Sequence, residues 1–511
     1  MIKTTSLVAF TTLTALAAGL AGPPARAETL ADVVAYAYET NPGLQAQRAS
    51  LRALDESYVQ ARAGFAPNIT GSAGETSYHN RNVVAPATSY ANTDSETLAL
   101  VQPLYTGGKL RSRLTEAEAQ ILSGREALRR FEQDLLQRVV AAYVGVQRDE
   151  EIWKINQDTV AVLEKEVADN EARFAVREVT MTDVAETKAR LANARAGLAN
   201  AQGNLAVSRS QFAATVGQPP VDLAPPPEIA AVPATIDQAF ASAEANNPQL
   251  QQAKYTEQRS RARIAEAKAA ALPQVSAQLS YQHAPFLPYT TAQGYNYATT
   301  AMVTVNQAIF NGGMIASQVR QTIEENNSDR LSIDDTRHQV ILNVSTAWEQ
   351  LSVSRDQIRS YDEEMKADEF SFYGNREEQK MALRSTIEVL NAELELTTAQ
   401  QNLVRARATE YTARAQLLDT MGMLTPAALS SRVSAYDPAE NFRHVRHRGE
   451  TPLEWPVRAL DSIAAPKIGS NPPASVADVH VSGSVMPPEP TGEGPIRSIL
   501  STLETPPPEP K

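Results

Sequence analysis

Apolar and polar positions along this chain alternate between two periods, and the whole alternation occurs twice. From Thr29 to about Gly64 apolar residues recur at helical spacing, and Pro67 lies just past the end. Two runs of period two follow, Asn68–His79 and Glu96–Thr106, and predict strands. A charged, helix-favouring stretch runs from Lys109 to about Val176, and a further helix is predicted over Thr182–Thr215. The same order then returns, with helices expected over 236–271, 314–380 and 386–420 and strands over 274–283 and 300–310.

The two halves match residue by residue, which identifies a tandem duplication. Asn41-Pro42 corresponds to Asn247-Pro248, and Ala66-Pro67 to Leu272-Pro273, at an offset of 206. Gly107-Gly108 corresponds to Gly312-Gly313, and Val216-Gly217 to Met421-Gly422, at an offset of 205. The repeats therefore span 28–217 and 235–422. Between them lies the linker 218–234, whose prolines exclude regular helix. A C-terminal extension, 423–451, and a proline-rich tail, 452–511, complete the chain.

The predicted lengths carry architecture. The long helix of each repeat would extend about 100 Å at 1.5 Å per residue, and the two shorter helices together nearly equal it. Two short helices stacked end to end would lie alongside one long helix. Helices of this length suggest coiled coils, and the heptads agree. Val184, Leu191, Leu198, Leu205 and Phe212 recur every seven residues, with small residues such as Ala194 and Ala201 at the second seam position. Val389, Leu396, Leu403 and Leu417 form the counterpart series, interrupted by Glu410, with Ala392, Ala399, Ala406 and Ala413 as partners. An ordinary amphipathic bundle is the competing reading; length and duplication weigh against it.

In "PQVSAQLSYQH", Gln274, Ser276, Gln278, Ser280 and Gln282 fall on one face, with Val275, Ala277, Leu279 and Tyr281 on the other. Alternation of this kind suits a transmembrane barrel strand, although the edge of a soluble sandwich reads identically. Four strands cannot close a barrel, and open edges are not tolerated in lipid. The membrane reading therefore requires several chains, each lending two hairpins. Gly107, Gly108, Gly312 and Gly313 stand where each second strand must become a helix, and glycine permits the positive φ of such a redirection. Pro67 and Pro273 mark the opposite turns, from helix into strand.

Bulk properties narrow the chemistry. Lys3, the apolar and threonine run Leu7–Leu20 and the small residues of Ala25-Arg26-Ala27 read as an export signal, residues 1–27. The chain has no cysteine, which excludes disulfides, thiol catalysis and thiolate metal sites. Its formal net charge is −12, so nucleic acid is a poor partner. No nucleophile-base set, Walker loop or metal motif appears; neither an enzyme nor a cofactor is expected. His444 and His447 are weak ligands among Arg443, Arg446 and Arg448 and read as a solvated tail. Thirteen prolines from Pro452 onward predict a disordered extension.

The duplicated architecture, "LVQPLYTGGKLRSRLTEAEAQ" and the paired segments beginning "RFAVREVTMTDVAETKARLANARAGLANAQ" and "RSTIEVLNAELELTTAQQNLVRARATEYTARAQLL" resemble the TolC-like outer-membrane efflux and secretion proteins. The resemblance covers about residues 28–440 and is strongest to the outer-membrane components of type I secretion systems. It implies a mainly α fold with β: a homotrimer, four strands per chain in a shared twelve-stranded outer-membrane barrel, and a tapering periplasmic tunnel of coiled-coil helices. It implies as partners a periplasmic adaptor and an inner-membrane ABC transporter or proton-driven pump, with outer-membrane lipid around the barrel. By the same resemblance, Arg384 latches the tunnel shut against Thr182 and Asp183, while Glu388 and Asn391 stand at its constriction. The adaptor-docking tips become Arg177, Glu178 and Val179 in the first repeat and Met381, Ala382 and Leu383 in the second. Both tip turns usually carry glycine, and here Arg177 and Ala382 replace it. Residue chemistry alone supports a plainer account, with Thr182 as a helix cap and Asp183 and Glu186 suiting the first helical turn.

Two functional classes follow. One is a passive export duct, for proteins or for small molecules. The other is a soluble periplasmic coiled-coil adaptor or scaffold.

Overall fold

The computed structural model describes residues 27–82, 87–229, 232–285, 295–381, 383–430, 432–433, 436–463 and 465. The expected signal segment, apart from Ala27, and the tail beyond residue 465 lie outside them.

Each repeat opens with two helices where one was expected. The first has α1 (Leu30–Thr40) and α2 (Pro42–Ala63); the second has α5 (Ile236–Asn246) and α6 (Pro248–Ala269). A residue before proline is driven out of the helical region, and Asn41 and Asn247 take ψ 118° and 121°. Each asparagine then caps the next helix. Asn41 Oδ1 accepts from Leu44 N at 3.0 Å, and Asn247 Oδ1 accepts from Leu250 N at 3.1 Å.

The long helices are α3 (Lys109–Ala175) and α7 (Met314–Lys380), 67 residues each, followed by α4 (Met181–Val216) and α8 (Thr386–Thr420). The short helices meet end to end at the asparagine breaks. Asn41 Nδ2 donates to Thr215 O at the end of α4, and Asn247 Nδ2 to Thr420 O at the end of α8. Thus α3 lies along α2 and α4, and α7 along α6 and α8. The α4 seam residues Val184, Leu191, Leu205 and Phe212 are buried, as are Ala392, Ala399, Ala406 and Ala413 of the second repeat's α8. Glu410 interrupts the second seam because it takes Arg414 at 2.6 Å and Arg355 of α7 at 3.6 Å.

The strands β1 (Asn68–Asn82), β2 (Ala87–Tyr105), β3 (Gln274–Pro285) and β4 (Tyr295–Asn306) form one antiparallel sheet in chain order. β1 and β2 are longer than the alternation alone indicated, and β4 starts and stops earlier than residues 300–310. Register aligns the apolar positions: Ile69 opposes Leu100, Leu100 opposes Leu279, and Leu98 opposes Tyr281. Directly opposed residues share a face, so one side of the sheet is apolar toward its junction end and gives way to Glu75, Asp94 and Glu96 further along. It is also uncovered, with Ile69, Leu98, Leu279 and Val303 all exposed.

Part of the proline-rich tail is structured, contrary to expectation. After α9 (Pro426–Leu429), α10 (Glu440–Val445) and α11 (Glu454–Asp461) climb the outside of α2 and α3. Phe442 meets Tyr58 edge-on at 5.1 Å, Asn441 donates to Asp55, and Val457 packs with Phe65 and Leu110. His444 and His447 remain on the exposed outer side of this segment, as expected of a solvated stretch. Proline density describes composition; Pro452 and Pro456 still allow a two-turn helix whose burial is tertiary.

Candidate functional site

The strand-to-helix junctions are built on left-handed glycines. Gly107 and Gly108 have φ +69° and +83°, and Gly312 and Gly313 have φ +63° and +85°. A side chain in this region is strained, so the sequence can turn a strand into a 67-residue helix here only with glycine or at a cost. At Gly107 space is also limiting: a Cβ would lie 2.7 Å from Leu272 Cβ. Pro67 and Pro273 stand immediately before β1 and β3. The helices before them end at Ala63 and Ala269, and a short turn separates helix end from proline.

Sequence reasoning missed the carboxylate that holds the first junction. Asp461, fully buried, accepts from Thr106 N at 2.7 Å, Thr106 Oγ1 at 2.8 Å and Gly108 N at 3.1 Å. Beside it Arg62 and Glu454, both buried, approach to 3.5 Å, and Arg62 donates to the carbonyls of Arg446 and Arg448. Buried arginine and glutamate with acceptors in reach form a clasp. Only their distance in sequence concealed it.

The opposite end of each long helix carries a tip turn. At the first, Arg177 takes φ +65°, outside the glycine set. Arg177 N donates to Phe174 O and Glu178 N to Arg173 O, both at 2.9 Å, a Schellman closure that demands a left-handed residue at this position. The second tip repeats the outer bond, with Leu383 N donating to Glu378 O at 2.9 Å, while Ala382 lies outside the described residues. Met381 and Leu383 are 71% exposed, and Arg177 and Glu178 are exposed while Val179 is half-buried.

The cap of α4 is Thr180, two residues before the expected Thr182. Thr180 and Asp183 form a reciprocal capping box, because only Thr180 has a carboxylate three residues on. The backbone N–H and hydroxyl of Thr180 hold the Asp183 carboxyl below its usual range. Ser385 and Glu388 form the same box at α8, and the Ser385 N–H, its hydroxyl and Arg384 bring Glu388 down to about 2.

Within the chain Arg384 is bonded to neither Thr182 nor Asp183. Its guanidinium donates to Glu378 and Glu388, each at 2.8 Å, and braces its own turn. Asn391 accepts from Arg190 of α4 at 2.8 Å, an inter-helix bond that sequence reading did not foresee. Two residues on, Glu393 is buried with no hydrogen-bond partner for either carboxylate oxygen among the described residues. Burial first, then the nearby Glu166, raises it to about 7, and Arg376 opposes this from 3.5 Å off Glu166. An acid at a helix face next to a heptad seam was the available signal.

Among the described residues no cluster suits a metal ion, and no helix is long and apolar enough to cross a membrane.

Comparison with known proteins agrees with this geometry. The family model for "Outer membrane efflux protein" matches residues 33–218 and 239–423, one match per repeat. The chain is 31% identical over 429 residues to the outer membrane efflux protein BepC of Brucella suis, covering 84% of this chain and 93% of that protein. It is 25% identical over 372 residues to the alkaline protease secretion protein AprF of Pseudomonas aeruginosa, covering 71% and 77%. In fold it superimposes on the outer membrane protein VceC of Vibrio cholerae with a TM-score of 0.66 at 18% identity, over 77% of this chain and 96% of that one. With both repeats matched and every junction in place, the chain belongs to the outer membrane efflux protein family, as a channel protein of the outer membrane with a helical periplasmic tunnel rather than an enzyme.

Proposed function

We propose that three copies of this chain close one barrel and one tunnel, the passive exit duct of a tripartite export system, most specifically one that secretes protein. The carrying observation is a sheet with two open edges and one apolar face. Open edges cannot persist in lipid, and three copies supply twelve strands, a number at which known barrels close.

The duplication specifies how the edges would join. Under the offsets 206 and 205, the β1–β2 pair Ile69 and Leu100 becomes Val275 and Val305, which is the observed β3–β4 pair. Applied to the β2–β3 pair Leu100 and Leu279, the same offsets put Val305 opposite Ala73 of the next copy. The chain lacks cysteine, so the double variant Ala73→Cys/Val305→Cys has no competing thiol. Oxidation should convert it to covalent oligomers up to a trimer, with neither single variant doing so. Cross-links only at a shifted register, or none in folded membrane-inserted protein, would remove this assembly.

The tips would receive a periplasmic adaptor on Met381, Leu383 and the turn at Arg177, with an ATP-driven transporter beneath. Since Arg384 braces its own turn, a latch onto Thr182 and Asp183 would have to reach those residues in a neighbouring copy. Similarity to a protease secretion protein supports protein cargo. Similarity to a protein named for efflux favours the second reading, a small-molecule duct with a proton-driven pump. Loss of a secreted protein from a strain lacking this chain, against loss of drug tolerance, separates the two.

A further inference from the structure

The clasp at the first junction carries a surface that the described chain leaves open. On α11, Glu454, Val457 and Asp461 face inward and are buried. The helix and its flanks turn Trp455, Ile463, Leu453 and Leu460 outward, at 78%, 77%, 52% and 45% exposure. A two-turn surface helix normally puts charge on that side.

The position of this face is set by buried bonds. Asp461 is tied to Thr106 and Gly108, and Glu454 to Arg62, so the apolar side stands at the level where β2 becomes α3. In the barrel reading proposed above, on which this inference rests, that level is the tunnel-side boundary of the membrane. α11 packs against β2, the strand that carries Leu98 on the apolar face of the sheet. Tryptophan concentrates at this depth, where its ring meets acyl chains and its N–H meets head groups. The turn leading to α11 also exposes Arg446 and Arg448, in a chain of net charge −12, with their carbonyls fastened to Arg62. Guanidinium groups at that height suit phosphate head groups.

We propose that α11 is an interfacial anchor. Trp455, Leu453, Leu460 and Ile463 enter the tunnel-side lipid leaflet, and Arg446 and Arg448 meet anionic phospholipid head groups there. The second repeat has no equivalent helix among the described residues, so a trimer would carry three such anchors, one beside each first junction.

The test reconstitutes the mature full chain into vesicles containing phosphatidylethanolamine and phosphatidylglycerol, with a fraction of acyl chains brominated. Tryptophan emission of the unmodified protein is compared with that of Trp455→Phe, which separates Trp455 from Trp153 and Trp348. The expected result is a bromine-quenched component that disappears in the variant. That component should shrink when phosphatidylcholine replaces phosphatidylglycerol, or in Arg446→Gln/Arg448→Gln. Quenching of Trp455 by aqueous acrylamide instead would put the face in water and overturn the proposal. Shielding from both quenchers would put it under a second copy, with the same consequence. Equal quenching in both lipid mixtures would overturn the head-group assignment. In each of these cases the protein floats with the vesicles and the separate Ala73→Cys/Val305→Cys variant still cross-links, so the barrel reading survives. Protein that neither floats nor cross-links removes both.

Discussion

The two repeats are copies in sequence and unequal in completeness. At the first junction Thr106 and Gly108 are capped by Asp461, and Gly107 packs against Leu272. At the second, nothing lies within 4 Å of a Cβ added at Gly312 or Gly313, and Ile309 and Phe310 are 96% and 90% exposed. β2 runs to Tyr105 because β3 pairs with it there, whereas β4 stops at Asn306, where its outer edge has no partner strand among the described residues. The same sequence pattern therefore forms a finished corner where a neighbour is present in the chain and an open one where it is not. The long helices differ likewise: Leu331 and Phe370 of α7 are exposed at 70% and 83%. The first junction is complete within the chain, whereas the second is open; the edges through which copies would meet are β1 of the first repeat and β4 of the second.

This comparison breaks most sharply at the glycines. Gly107→Ala combines left-handed strain with a Cβ at 2.7 Å from Leu272, and should lower stability by about 3 kcal/mol. Gly312→Ala meets open space in the single chain and should cost about 1 kcal/mol there, followed by thermal unfolding of both variants. If Gly312→Ala instead abolishes trimers while sparing the fold, the second junction is an inter-copy contact. Asp461→Ala leaves buried N–H groups of the first junction unpaired and should cost about 2–3 kcal/mol. Amide exchange should quicken at Thr106 and Gly108 and stay unchanged at Asn311 and Gly313. Exchange that quickens at both would show the two junctions to be coupled.

Glu393 tests the contact between repeats, because it lies on α8 and faces Glu166 of α3 and Arg376 of α7. Its carboxyl titrates at about 7 when folded, against an ordinary 4.5. The folded state therefore holds a proton that the unfolded state has released. Its stability contribution is full below the ordinary value and is lost as pH rises through about 7. The loss should be on the order of 2 kcal/mol, read as a falling unfolding temperature between acid and neutral pH. Glu393→Gln should flatten that slope, and an unchanged slope would move the effect to Asp419, which burial also raises to about 7. The smallest effect concerns the first tip. Arg177→Gly relieves a left-handed arginine and should stabilise by about 0.5–1 kcal/mol, without altering the second tip.

Local signals located the long helices within a residue or two, because heptads, capping boxes and glycine pairs act over a few neighbours. They misjudged the first helix of each repeat, where Asn-Pro was read as continuous helix although the residue before proline is forced extended. Thr182 and Thr180 are alike as residue types, and only the carboxylate three residues after Thr180 distinguishes the true cap. The ends of the strands far from the junctions extend beyond their alternation, since residues there are held by their cross-strand partners, while β4 stops short of residue 310. Arg384 illustrates the limit at the site: its helical neighbour Glu388 was in view, but Glu378 joins it only after the turn folds back.

The sequence by itself determined the duplication, the order of elements, the apolar face of each strand and the four glycines that must turn left-handed. Each of these depends on residue type and on spacing within a few positions. Only the tertiary structure decided that Asp461 caps Thr106 and Gly108, that Arg62 joins Glu454, and that Glu393 is buried beside Glu166. Those pairs are brought together across the chain by packing, and desolvation in that packed setting, not the residue alone, sets what each group costs and does.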